Sequence, residues 1–233
     1  MIQIAIDGPS GSGKSTLAKG LAAKLGIVHL DTGAMYRALG WKAVKLGISI
    51  DDREAIEALM DETDIQVVCR QERQAVLCDG EDVSGQIRTQ PIAAAASAVS
   101  RFPRVREELV RVQQEIASRQ SVVMDGRDIG TVVLPEANYK FFITASVEVR
   151  AKRRQGELKA KGIHTGFEEL CAEIRQRDHQ DTNREHSPLR CADDAITMDT
   201  SLMNADEVFN TVSAIVAKAK LSANSAAEES DHG

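Results

Sequence analysis

The 233-residue sequence predicts an α/β fold with a parallel sheet core flanked by helices. Three observations carry that expectation. Apolar-rich strand candidates alternate with helical stretches from residue 2 to about residue 61, an order that favours parallel pairing. A Gly-rich turn joins the first strand to the first helix. Hydrophobic residues make up 42% of the chain, an average content that at this length builds a core without disulfides or a structural metal.

The elements follow in order. Residues 2–7, IQIAID, are an apolar-rich run ending at the Gly-rich turn, and STLAKGLAAKLG then has helical spacing. Leu17, Leu21 and Leu25 fall at i, i+4 and i+8, and Gly26 closes the helix. IVHL is a second, short strand, followed by a helix from about Thr32 to Leu46. Asp51 is expected to open a third helix, with Glu54 in capping-box position.

Between about residues 63 and 85 the texture changes. DIQVVCR and QAVLCDG have period-2 alternation around a polar QER and read as an antiparallel hairpin, a small inserted β element. Cys69 and Cys78 are expected opposite each other there, either as a pair that crosslinks on oxidation or, the favoured reading in a reducing compartment, as two buried thiols. With Cys171 and Cys191 they form no C-x-x-C pair, and the five histidines form no H-x-x-x-H pair, which argues against structural zinc.

Helices resume in PIAAAASAVSRF and again after Pro103, where Val105, Leu109, Val112 and Ile116 make one apolar stripe. SVVMD and YKFFIT are further core strands, the first ending in the turn DGRDIG. From about 148 to 190 the chain is crowded with charge, including Arg150, Arg153, Arg154, Arg175, Arg177, Arg184 and Arg190. A final amphipathic helix runs from about Ala205 to Leu221. The small, polar, acidic tail 222–233 is expected to be disordered.

Composition excludes several function classes. Lys+Arg total 29 against 35 for Asp+Glu, a net charge of -6, unsuited to a surface that coats nucleic acid or anionic membrane. Five Phe, two Tyr and one Trp are too few for base-stacking platforms. No apolar run reaches the length of a membrane span and no signal-peptide pattern opens the chain, so a cytoplasmic location is expected. The tail 222–233 carries Glu228, Glu229 and Asp231 and no cation, so the remaining body is close to neutral. That leaves room for a local anion site.

Gly8-Pro9-Ser10-Gly11-Ser12-Gly13-Lys14-Ser15 fits G-x-x-x-x-G-K-[ST] in full, between a strand and a helix. Its glycines let backbone N–H groups turn inward around phosphate oxygens, and the helix N-terminus adds partial positive charge. Lys14 would reach the β- and γ-phosphates, and the Ser15 hydroxyl would hold Mg²⁺. A dinucleotide fingerprint is rejected, because Gly11-x-Gly13-x-x-Thr16 lacks the third glycine. The loop is a nucleoside-triphosphate site.

A phosphate loop alone leaves switches, motors and kinases open. No guanine-reading N-K-x-D is present, which weighs against a GTPase switch. Asp125-Gly126-Arg127-Asp128 lies at the carboxyl end of a strand, where open α/β sheets bind ligands. Asp125 there either supports Mg²⁺ or is a turn residue bonding its own backbone. Arg177, Asp181 and Arg184 fall at i, i+4 and i+7, one face of a helix. That stripe either binds a phosphate and a sugar hydroxyl or is an exposed salt-bridged face. RQRDHQDTNREH has no apolar residue, so this helix is expected to lean on a ligand or to move as a lid.

GPSGSGKST, LDTGAMYR, GEDVSGQIRT, FPRVRE, MDGRDIGT and IRQRDHQDTNR, in this order, closely resemble the bacterial cytidylate kinase family, over the chain up to about residue 221. The resemblance implies a nucleoside-monophosphate kinase fold, one domain over 1–221. It would comprise a parallel-sheet core, an acceptor-binding lobe with the β insert at about 33–100, and a mobile lid at about 150–186. By motif, Gly8 to Thr16 would bind ATP. Ser97, Arg106 and Asp128 align with the family's cytosine-reading residues, and Arg177 with Asp181 align with the sugar contacts. Arg37, Arg127 and Arg184 would hold the acceptor phosphate, with Thr32 another acceptor contact and Lys14, Arg127 and Arg184 supplying catalytic charge. Some relatives carry Ser and Gly where this chain has Thr32 and Ser15. Taken alone, Ser97 is equally a small packing residue in an Ala-rich helix and Arg106 a solvated neighbour of the apolar stripe.

The implied reaction is ATP + CMP ⇌ ADP + CDP with Mg²⁺, dCMP being a second acceptor. The partners would be these small molecules alone, with no nucleic acid and no membrane, and the enzyme a monomer. The alternatives are a kinase for UMP, AMP or shikimate, or a nucleotide-dependent switch without an acceptor.

Overall fold

Strand β1 (Gln3–Asp7) places Ile4 and Ile6 against one helical layer and Ala5 against the other, so the centre of the sheet is apolar on both faces. A computed structural model of the chain describes residues 1–70 and 73–230. The side chains of 69, 70, 73 and 219–230 lie outside that description. Helix α1 (Lys14–Leu25) follows β1 and ends at Gly26, where the Ile27 N–H closes on the Ala22 carbonyl at 3.0 Å. Strand β2 (Val28–Asp31) leads into α2 (Thr32–Lys45), capped by Asp31, whose Oδ1 accepts from the Ala34 N–H. Helix α3 (Arg53–Asp61) is capped by Asp52 accepting from Ala55, not by Asp51, which pairs with Arg101 instead.

The insert is antiparallel, as expected: β3 (Ile65–Arg70), β4 (Arg73–Cys78) and the short β5 (Glu81–Asp82). Its register sets Cys78 opposite Ile65 and Cys69 opposite Gln74, so the two cysteines are not cross-strand partners. The register follows from strands that end at Arg70 and restart at Arg73, which leaves the two cysteines four positions out of register. Cys78 is a buried free thiol; the Cys69 side chain lies outside the described residues.

Helices α4 (Gln90–Val99) and α5 (Pro103–Arg119) then lead to β6 (Val122–Gly126), buried throughout. A π-helical turn, Ile129–Val133, and β7 (Tyr139–Thr144) follow. Next come α6 (Val147–Ala160), α7 (Phe167–Asn183), β8 (Ile196–Asp199) and α8 (Ala205–Ser230). The sequence reading missed β8 because its alternation, Ile196 and Met198 against Thr197 and Asp199, spans only four residues, too short a run to stand out. It also ended α8 at Leu221, where the apolar spacing stops. The Ala-rich continuation has helix-forming composition and the helix extends to Ser230. Residues 231–233 of the acidic tail lie outside the described residues.

The main sheet has the order β2-β6-β1-β7-β8 and every pairing is parallel. Ile4, Ile6 and Phe141 pack on Leu17 and Leu21 of α1 and Val212 and Val216 of α8. On the other face Ala5, Leu30, Val122 and Met124 meet Ala117 of α5 and Ile129 and Val133 of the π turn. A second core joins α2, α3, α4 and α5 to the small sheet. Gly40 lets α2 and α4 approach closely, since a Cβ there would stand 3.0 Å from the Ala96 nitrogen.

The charged helix α7 has an anchor that the sequence reading did not give it. Leu170 and Cys171, with Phe167 and Ile174 beside them, pack on Ala151 and Leu158 of α6. The polar stretch is therefore the second half of a helix whose first half has its own small core. No helix among the described residues is long and apolar enough to cross a membrane.

Candidate active site

Parallel pairing brings the carboxyl ends of three strands side by side: Asp7 lies in register with Gly126, and Asp31 with Asp125. The loop after β1 runs closely along β7. Gly8 has φ +142°, and a Cβ there would lie 2.0 Å from the Ile143 carbonyl oxygen, so no side chain fits. Gly11 and Gly13 also have positive φ. They shape the loop into the concavity that its spacing implied. Lys14, buried at the start of α1, donates to the Pro9 carbonyl at 2.6 Å and to Ser12 Oγ at 3.4 Å. Burial, with Arg127 adding, pushes its ammonium down to about 7. Thr16 is exposed in the first turn of α1.

Ser15 Oγ donates to Asp125 Oδ2 at 2.6 Å, and His29 Nε2 stands 2.7 Å from the other oxygen, Asp125 Oδ1. Burial works against the Asp125 anion, but the His29 and Ser15 bonds and the Lys14 charge outweigh it and hold the carboxyl below its usual range. Among the described residues no group of three or more His, Cys, Asp or Glu could hold a metal ion. The Ser15 hydroxyl beside the Asp125 carboxylate is a pair of hard oxygen donors at the mouth of a phosphate loop. That donor set fits Mg²⁺, which takes few protein ligands and completes its shell with water and phosphate oxygens.

Arginines ring the other side. Arg37 Nη2 donates to Asp31 Oδ2 at 2.7 Å. Arg127 Nε donates to Asp181 Oδ2 at 2.7 Å, tying the turn after β6 to α7. Arg106 is buried, pairs with Asp128, donates to the Ser100 carbonyl at 3.2 Å and lies over the Tyr36 ring. Arg184 donates from Nε to the Ser187 carbonyl at 2.6 Å, and its Nη2 stands 3.7 Å from Asp128 Oδ1. Arg37 Nε, Arg106 Nε, Arg177 Nε and Arg184 Nη2 are buried without a hydrogen-bond partner. Buried guanidinium nitrogens left so are costly unless an anion completes them. Burial and the neighbouring Arg127 charge push Arg177 down to about 10.

Lys14, Ser15, Thr32, Arg37, Arg106, Arg127, Asp128, Arg177, Asp181 and Arg184 thus gather at the carboxyl ends of the strands. Thr32 is buried and donates to the Asp125 carbonyl at 2.8 Å. The Ser97 hydroxyl is 3.4 Å from Gln180 Oε1, linking α4 to α7, and the Ser97 carbonyl accepts from Ser100, whose own carbonyl accepts from Arg106. The expected stripe is also broken. Helix α7 ends at Asn183, and Arg184 is already extended at φ -63° and ψ 144°, so it does not continue the face of Arg177 and Asp181.

Sequence reasoning missed Asp7, His29, Asp31 and Tyr36. A carboxylate ending a fully buried strand was the available signal for Asp7. It also left Arg150 and Asp178 without a role. Arg150 bonds the Ser10 carbonyl at 3.2 Å and holds Asp178 through both terminal nitrogens.

The family described as cytidylate kinase matches residues 4–218. The cytidylate kinase of Caldicellulosiruptor bescii is 51% identical over 211 residues, covering 91% of this chain and 93% of its own. That of Ligilactobacillus salivarius is 49% identical, covering 92% and 96%, and that of Bacillus pumilus 48%, covering 91% and 94%. With the phosphate loop and the arginine cluster at the same strand ends, the match over nearly the whole length places this chain in the cytidylate kinase family.

Proposed function

We propose that the chain transfers the γ-phosphoryl group of ATP to the phosphate of CMP, and of dCMP as a second acceptor. The observation that carries this reading is the second cationic site. Beside a complete phosphate loop stand five arginines, four of which hold a buried nitrogen without a partner. One anion-binding loop would suffice for an ATPase; a second ring of guanidinium groups calls for a second phosphorylated ligand.

In this reading the backbone amides of Gly8–Thr16 and the Lys14 ammonium hold the ATP phosphates. Binding of the anion would return Lys14 to its charged form. Ser15 and Asp125 would hold Mg²⁺, which supplies charge neutralisation at the β- and γ-oxygens when bound. Arg37, Arg127 and Arg184 would take the acceptor phosphate, with Thr32 near it, and Arg177 and Asp181 the sugar. Asp128, Arg106 and Ser97 would face the base. An acceptor phosphate oxygen attacks the γ-phosphorus, the bond to the β-bridging oxygen breaks, and ADP leaves. No protein base is needed, because a phosphate monoester with a second pKa of about 6 is largely dianionic at neutral pH. The residues contribute position and charge, the two things phosphoryl transfer asks for.

An ADP-release assay over CMP, dCMP, UMP, AMP and shikimate tests the reading. CMP and dCMP should accelerate ADP formation far above the rate without acceptor. Faster turnover with any other acceptor, or none with CMP, would overturn it.

A further inference from the structure

Asp128 occupies the position of a helix cap but does not cap. It directly precedes the π-helical turn Ile129–Val133, and its carboxylate makes no bond to that turn's amides. An aspartate so placed ordinarily accepts from the N–H groups just ahead of it. Here another strand takes them. The Ile129 N–H donates to Asp7 Oδ1 at 2.8 Å and the Gly130 N–H to Asp7 Oδ2 at 2.7 Å. Asp7 ends β1, immediately before the phosphate loop, and is 5% exposed. Freed from the amides, the Asp128 carboxylate turns to Arg106 and Arg184.

We propose that Asp7 is a positioning residue for acceptor selectivity: by capping the turn in place of Asp128, it keeps the Asp128 carboxylate in the base pocket, and so sets the preference for cytosine over uracil. The proposal rests on the reading of the site given above and assigns Asp7 no contact with substrate.

The chemistry of the two oxygens explains why a charged group stands there. An ionised carboxylate accepts at both oxygens, so each satisfies one amide. Protonation makes one oxygen a donor facing an N–H, and that half of the cap is lost. Asp7 makes no ion pair among the described residues. Burial pushes its carboxyl up to about 6, the Asp128 charge adding to this, while the two amide bonds and Lys14 oppose it. The charged groups around it are Lys14 on α1, Arg127 and Asp128 in the turn after β6, and Lys140 on β7. The Lys140 stem packs at Gly130 and its ammonium bonds Asp194 at 2.9 Å. The cap is therefore intact above about pH 6 and weakens as pH falls through that value.

The test is the ratio of kcat/KM for CMP to that for UMP, in which titration of the shared phosphate cancels. Wild type and Asp7→Asn are compared from about pH 7.5 to about pH 5.5, a range spanning the Asp7 titration. Loss of one amide bond should lower the Asp7→Asn ratio about tenfold or more at neutral pH and change the KM for ATP much less. The wild-type ratio should fall toward the variant's on acidification, while the variant's stays flat. An unchanged ratio in folded Asp7→Asn, or a wild-type ratio independent of pH, overturns the proposal. The wild-type profile decides alone if the variant does not fold. A wild type that phosphorylates neither acceptor overturns the functional reading instead.

Discussion

Arg150 holds Asp178 in a two-pronged ion pair, Nη1 to Oδ1 at 2.9 Å and Nη2 to Oδ2 at 2.6 Å, while the same Nη1 reaches the Ser10 carbonyl of the phosphate loop. Through this pair the position of α7 is tied to the loop that would hold ATP. Asp178→Asn keeps the shape but removes the charge, leaving the buried guanidinium half-satisfied at a cost of about 1–3 kcal/mol. Amides in the second half of α7 should then exchange with solvent about tenfold faster, with little change in the main sheet. Equal exchange in the two proteins would show that the pair does not hold the helix.

Asp128 is the natural test of base selection. An aspartate accepting from the exocyclic amine of cytosine would be left facing an oxygen when uracil is bound. Asp128→Ala should reduce discrimination against UMP by about 10- to 100-fold while the KM for ATP changes much less. An unchanged CMP to UMP ratio would remove Asp128 from the base pocket.

Arg184 lies just past the end of α7, with a buried Nη2 that makes no hydrogen bond. If that nitrogen meets the transferring or accepting phosphate, Arg184→Ala should cut kcat by about 10²- to 10³-fold. The melting temperature should move by only a few degrees, and near-normal turnover would reduce the residue to a structural role.

Lys14 makes stability and ATP binding depend on pH in opposite senses. Its ammonium titrates at about 7 in the folded chain against 10.5 ordinarily, mainly because it is buried. Between those values the unfolded chain holds the proton and the folded chain does not, so this group's contribution to stability rises with pH across that window. Lys14→Met should flatten the rise in urea denaturation. ATP, which favours the charged form, should bind with proton uptake above about pH 7, read by calorimetry in buffers of different ionisation enthalpy. Binding without proton uptake would contradict the assignment.

The phosphate loop was legible in the sequence because it is local: eight contiguous residues with three glycines dictate the backbone, and the flanking strand and helix follow from apolar spacing. The parallel core was legible for the same reason, through strands buried on both faces. Helical spacing went wrong where it was carried past a helix end, at Arg184, and where it treated half of α7 as the whole. Arg106 and Ser97 were ambiguous by spacing and gained roles only through the family resemblance. The tertiary structure decided which charges meet. With 29 Lys and Arg facing 35 Asp and Glu, no local rule selects Arg150 for Asp178, Arg127 for Asp181 or the Ile129 and Gly130 amides for Asp7. Those partners lie 28, 54, 122 and 123 residues apart. Sequence periodicity sets which face of an element is buried, whereas strand order and register set which strand ends adjoin, and this site is built from strand ends.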